Sequence, residues 1–395
     1  MALDFKWCRV ALGALTLAAV ACGSEEPTDR NGGPAVAGGD GGGAPAHEAG
    51  VGPSLEAGSP AGDDGAIQPA TQDAGAARPD ASGTTLDASA PASDAGTTPV
   101  SDATIGDASA APDAAPHVAC NPADKKPDPT NVPVSAIKRY QGMVVAPAKG
   151  PYKPVLESDP GFPDWTVYRP EKLGEVKHPI VVWANGGCIR DGTYFSKFLL
   201  ELASHGFVAV ADGKPNGSGM RGLGPDGAPQ ISALDWIIAE NERPCSQYYH
   251  KLDVTKTAAA GQSCGGLMTL GASKDERLTT VAIFNSGLFE RNQAIYSALH
   301  TPIAYFIGGA DDVAYAQAQE DTKAINNVPL FYGNLDVGHF ATWAQDNAGE
   351  FGRVGVGWFK WQLMGDATAQ KMFSGADCEL CKPPSEWKVV KKMMQ

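Results

Sequence analysis

Residues Gly261-Gln262-Ser263-Cys264-Gly265-Gly266 spell a G-x-S-x-G motif with one more glycine behind it. A serine in this setting does chemistry when the backbone turns sharply through it and lifts the hydroxyl clear of its neighbours. The flanking glycines remove the Cβ atoms that such a turn would bring into collision. A serine hydroxyl is a poor nucleophile until a base takes its proton and an acid orients that base. The histidines beyond Ser263 are His300 and His339, and the paired carboxylates Asp311 and Asp312 close the run Gly308-Gly309-Ala310-Asp311-Asp312. Reaction at a carbonyl also needs donors for the developing oxyanion. The expected pair is the amide of Cys264, just after the nucleophile, and that of Gly187 in Asn185-Gly186-Gly187-Cys188. The Cys264 side chain, one position past the turn, points away from the reacting centre and is not expected to be the nucleophile.

These residues need elements to carry them. Strands are predicted over 165–169, 179–184, 207–211, 257–260, 281–284, 303–307 and 328–332, where short apolar or β-branched runs are bounded by turn residues. Helical spacing of apolar residues predicts helices over 193–204, 231–240, 265–273 and 349–364. Alternating strands and helices with continuous apolar strands predict an α/β fold, a doubly wound and mostly parallel sheet with helices on both faces. Ser263 then lies between a strand and a helix, as a nucleophile elbow requires. In that architecture the acid and base follow the serine in the order Ser, Asp or Glu, His. His300 precedes the strand that leads to the acid, which leaves His339, in the loop after the strand at 328–332. Of the two candidate acids the reading favours Asp311, with Asp312 facing solvent or capping the next helix. Asp336 and Asp275 read as turn residues, and Asp321 as a solvent-facing helical position. Trp343 and Leu288, with Phe289 beside it, are candidate substrate-binding residues, and the Gly-rich 213–227 segment reads as a loop near the site.

Composition divides the 395 residues. Residues 23–117 contain no Phe, Trp, Tyr, Lys or Cys; 15 acidic residues against Arg30 and Arg78 give them −13 of the formal −14. With few large apolar side chains this stretch cannot offset its ordering entropy, and it reads as a disordered linker over 22–117 whose Asp-Ala recurrences are low-complexity drift. Lys6 and Arg9 ahead of the apolar run Val10–Ala21 read as a signal peptide over 1–21. The residues Ala19-Val20-Ala21-Cys22 resemble a lipobox, with Cys22 the expected lipidation site and an envelope anchor the expected only link to membrane; plain secretion is the alternative. The remaining 278 residues, 118–395, hold 29 aromatics and suit one catalytic domain. No segment offers the positive charge that a nucleic-acid partner would require. The six cysteines of the domain suggest disulfides. Their pairing stays open, with a Cys188–Cys264 bridge across both oxyanion loops among the choices. Cys378-x-x-Cys381 has no second half-site to make a metal centre, and neither metal nor organic cofactor is expected.

Over roughly 140–365 the chain resembles the α/β-hydrolase superfamily. The resemblance rests on "NGG", "LASHGFVAVAD", "GQSCGG", "GGADDVA" and "GHF". It is nearest to the branch of dienelactone hydrolases, chlorophyllase-like proteins and cutinase-like polyester hydrolases. Two departures stand out. Cys264 occupies a position where cutinase-like enzymes carry Met, and Ser286-Gly287-Leu288 the place where they carry Trp. The resemblance implies Ser263 as nucleophile, His339 as base, Asp311 as its partner and an acyl-enzyme on a small or medium ester. An acyltransferase on the same residues and a non-catalytic binding lipoprotein are the other readings.

Overall fold

The computed structural model describes residues 118–140, 145–340 and 342–394. The expected signal peptide, linker and Cys22 lipidation site lie outside them. Ten strands form one sheet: β1 (Thr130–Val132), β2 (Pro154–Ser158), β3 (Trp165–Pro170), β4 (His178–Ala184), β5 (Val208–Asp212), β6 (Leu252–Gln262), β7 (Leu278–Phe284), β8 (Ile303–Ile307), β9 (Leu330–Asn334) and β10 (Lys388–Lys392). Their order is β1-β2-β3-β5-β4-β6-β7-β8-β9-β10. The six neighbours from β5 to β9 run parallel, and antiparallel strands close both ends.

The period of two along each strand feeds two cores. Val181 and Trp183 join Ala209, Ala211, Phe284 and Phe306 on one face. Ile180 and Val182 join Val208, Val210, Ile283 and Tyr305 on the other. The first face is covered by α1 (Ser196–Ser204), α6 (Gly349–Met364) and α7 (Ala367–Phe373). The second is covered by α2 (Ala228–Glu242), α3 (Cys264–Ala272), α4 (Gln293–Ala298) and α5 (Tyr315–Ala324). Burial on both faces explains why β4, β5, β8 and β9 read as unbroken apolar runs.

The strands missed in the sequence lie at the margins of the sheet, and helices α4 and α7 were missed as well. β2 begins with Pro154 and buries Glu157 against Arg169 (2.7 Å), and β10, Lys-Val-Val-Lys-Lys, is lysine-rich at a sheet edge. The cysteines pair as Cys120–Cys245, Cys188–Cys264 and Cys378–Cys381.

Asp321 departs from its expected exposure. It is buried in α5, where it accepts hydrogen bonds from the Tyr296 and Tyr305 hydroxyls (2.8 and 3.1 Å) and the Leu288 amide (2.9 Å). A helical position turned toward the sheet is buried whatever its side chain, and these three donors make the aspartate tolerable there. Burial nonetheless pushes its carboxyl up to about 6. A raised acid in the fold favours the native state while protonated and loses that advantage as pH rises through its folded value. Asp321→Asn should therefore gain stability relative to the parent between about pH 4 and pH 7. Thermal melts of both proteins across that range check this, and a pH-independent difference would refute it.

Candidate active site

β6 delivers Ser263 to the carboxyl end of the sheet, and α3 begins at the next residue. Ser263 itself has φ 54° and ψ −119°, a left-handed conformation that costs a non-glycine residue about 1–3 kcal/mol. Its surroundings explain how the turn closes. A Cβ on Gly265 would overlap the Ala184 carbonyl, and one on Gly261 would overlap Gly265. The elbow is pinned by the Ser263 amide donating to the Phe284 carbonyl (2.9 Å) and by the Ser286 hydroxyl donating to the Ser263 carbonyl (2.7 Å). The first amides of α3 have no intrahelical acceptor and sit at the positive end of the helix dipole, beside the serine.

His339 follows β9, and its loop packs on the loop after β8 through Gly338, whose amide donates to the Gly308 carbonyl (2.6 Å). A Cβ on Gly308 would overlap the Gly338 carbonyl, so glycine at 308 lets these loops touch. The carboxylate brought to the histidine is Asp312, with its Oδ1 2.6 Å from His339 Nδ1. This corrects the expectation for Asp311, which is exposed. The physical reason is the turn after β8, which points Asp312 inward to accept from the Gly308 amide (2.8 Å), the Ala314 amide (3.0 Å) and Asn285 Nδ2 (2.8 Å). Burial raises the Asp312 carboxyl, but hydrogen bonds from His339, Asn285, Ala314 and Gly308 outweigh it and hold the group below the ordinary carboxylate value. The other ring nitrogen, His339 Nε2, lies 3.4 Å from Gln262 Nε2, which places the imidazole next to the elbow. No hydrogen bond joins it to Ser263 among the described residues.

Gly187 lies on the opposite side of the elbow, in the loop after β4, with φ 62°. Asn185 stitches this loop together, its Nδ2 lying within 3.0 Å of the Ile189, Asp191 and Asp212 carbonyls. Gly187, Cys188, Ser263 and Cys264 share one cleft of about 330 Å³. Its outer wall is apolar and exposed: Met220 and Leu223 from the 213–227 segment, Phe289, and Val313. That segment is clamped to the Gly187 loop, with the Arg190 amide donating to Gly219 and the Arg221 amide to Cys188 (3.0 and 2.8 Å). Arg221 is held in turn by a bidentate pair with Asp212.

The two substrate-binding candidates fall elsewhere. Leu288 is buried in the second-face core, while its neighbour Phe289 reaches the cleft. Trp343 packs among Trp183, Phe195, Phe198, Phe284 and Phe351 and donates from Nε1 to Asn285 Oδ1 (2.9 Å). It lies behind the acid, not along the cleft. Asn285, which bridges Trp343 to Asp312, was missed in the sequence. Its only local signal is position, just after a buried strand at φ 47°, where asparagine is tolerated better than most residues.

Residues 117–392 match the family described as PETase, PET hydrolase-like. The chain belongs to this family and is an ester-bond hydrolase. The broader likeness to α/β-hydrolases thus narrows to the polyester-hydrolase type, despite Cys264 and Ser286-Gly287-Leu288. No curated protein matches the chain.

Asp312→Asn should lower kcat on p-nitrophenyl butyrate by roughly 10³–10⁴-fold, whereas Asp311→Asn should stay within about twofold of the parent. The opposite ranking would return the orienting role to Asp311.

Proposed function

We propose that the chain hydrolyses carboxylic esters through an acyl-enzyme on Ser263. The observation that carries this reading is Ser263 at a left-handed strand-to-helix turn, following Gln262, whose side chain touches an imidazole held by a buried carboxylate. His339 Nε2 takes the serine proton as Oγ attacks the ester carbonyl, then delivers it to the leaving alcohol. Asp312 keeps the Nδ1 proton in place and stabilises the imidazolium. To act as base, the ring exchanges its contact with Gln262 Nε2 for the Ser263 hydroxyl. The Gly187 and Cys264 amides donate hydrogen bonds to the charge that develops on the carbonyl oxygen. Water then repeats the sequence on the acyl-enzyme.

Substrate class follows from the cleft wall. Met220, Leu223, Phe289 and Val313 are large apolar residues left exposed together, an arrangement that favours an apolar partner. We take the substrate to be an ester with an apolar acyl or aromatic part. The description of the family as PET hydrolase-like supports extending this to aromatic polyester chains.

Ser263→Ala should abolish p-nitrophenyl butyrate turnover and fluorophosphonate labelling while the fold persists. Retention of both would remove Ser263 from the mechanism. Met220→Ser with Leu223→Ser should lower kcat/KM for hexanoate and octanoate esters by about tenfold and leave acetate within about twofold. An equal loss across chain lengths would mean that these side chains do not contact the acyl group.

A further inference from the structure

The two loops that carry the proposed oxyanion donors are covalently joined. Cys188 and Cys264 form a disulfide with Cα atoms 5.2 Å apart, joining positions 76 apart in sequence. One cysteine directly follows the donor Gly187, and the other is itself the second donor. Both are buried, and both line the cleft beside Ser263. Neither of the other disulfides includes a cleft-lining residue.

The backbone here has reason to need such a tether. Gly187 and Cys188 are consecutive left-handed residues, with φ 62° and 55°. A cysteine in that region has a lower-energy basin at negative φ, and moving there would swing the Gly187–Cys188 peptide and shift the loop that carries the Gly187 amide one peptide earlier. Oxyanion donors act through preorganisation, so a donor that must be ordered during the reaction loses much of its effect. On the far side, the Arg221 amide holds the Cys188 carbonyl, and Asp212 holds Arg221. Cys188 is thus gripped through its side chain and its carbonyl, next to Gly187, which lines the cleft.

We propose that the Cys188–Cys264 disulfide is a positioning element of the oxyanion site, fixing the Gly187 and Cys264 amides relative to each other. This rests on the reading of Ser263 as nucleophile. A plain covalent staple would raise the melting temperature and leave turnover by the folded enzyme unchanged. A positioning element acts on the transition state, so its loss appears in kcat and spares KM.

The test compares Cys188→Ala/Cys264→Ala and the volume-filling Cys188→Val/Cys264→Met with a control, Cys120→Ala/Cys245→Ala. Each is assayed on p-nitrophenyl butyrate well below its own melting temperature, with folding checked by near-ultraviolet circular dichroism. Phenylboronic acid, whose tetrahedral serine adduct places an oxygen at the same donors, is titrated alongside. Both cleft variants should lose about 10- to 100-fold in kcat with KM within about twofold, and boronate affinity should weaken in parallel. The control should keep its kcat. A folded cleft variant with kcat and boronate affinity within about twofold of the parent would overturn the proposal. Should both cleft variants fail to fold, the parent is reduced stepwise with a phosphine and each disulfide followed by mass spectrometry. Activity must then fall in step with opening of Cys188–Cys264, and loss that tracks Cys120–Cys245 instead would overturn the proposal. A parent that neither turns over esters nor binds phenylboronic acid would sink the Ser263 reading itself, an outcome separate from any of these.

Discussion

The space around Ser263 is the constraint on which the site depends. A serine at φ 54° and ψ −119° persists only if the surrounding contacts hold it there. Those contacts require two backbones to approach closely: α3 at Gly265 comes against the end of β4 at Ala184, and Gly261 comes against Gly265. Side chains at either position would push the helix off the sheet. With the helix seated, three things follow together. Ser263 lines the cleft, α3 begins at the next residue, and Cys264 comes within bonding distance of Cys188. The Ser263 turn, the start of α3 and its link to the Gly187 loop are therefore consequences of one steric arrangement.

Electrostatics supplies the second half of the site. Asp312 is buried, and a buried carboxylate is unfavourable unless its oxygens are occupied. Four donors occupy them, from Gly308, Ala314, Asn285 and His339. The arrangement extends through Asn285 to Trp343 and so into the aromatic core that α1 and α6 form on the sheet. The imidazole is oriented by a chain of hydrogen bonds that ends in close packing, and close packing resists displacement. The fixed position of this loop histidine comes from what lies beneath it, with its loop also held by the Gly308–Gly338 contact.

The cleft wall is built differently from its floor. The floor is strand ends and a helix start, whereas Met220 and Leu223 stand on a glycine-rich segment without regular secondary structure of its own. Main-chain hydrogen bonds to the Gly187 loop and the Arg221–Asp212 pair hold that segment in place. The same clamp serves the Gly187 loop and the apolar wall, which couples the position of one to that of the other.

Local chemistry made much of this legible. Apolar runs identified the central strands because both faces of the sheet are covered, and G-x-S-x-G declared the elbow because only glycine fits its crowded positions. Chain order then selected His339. The marginal strands β1, β2 and β10 were illegible because their residues are short, polar or charged and gain their place by pairing with neighbours. The choice between Asp311 and Asp312 turned on which way one tight turn faces, and adjacent aspartates carry no local signal for that. Asp321, Leu288 and Trp343 were misplaced for a related reason. Burial of a single side chain depends on what the other elements present opposite it, and Tyr296, Tyr305 and the aromatic cluster arrive from distant parts of the chain. Cysteine pairing likewise depended on which loops meet in space. The sequence by itself determined the fold class and singled out Ser263 and His339 as candidates, because these follow from periodicity, steric exclusion and order along the chain. Tertiary structure alone decided which aspartate meets His339, what lines the cleft wall, and the pairings Cys120–Cys245 and Cys188–Cys264, because each is a contact between residues brought together from separate parts of the chain.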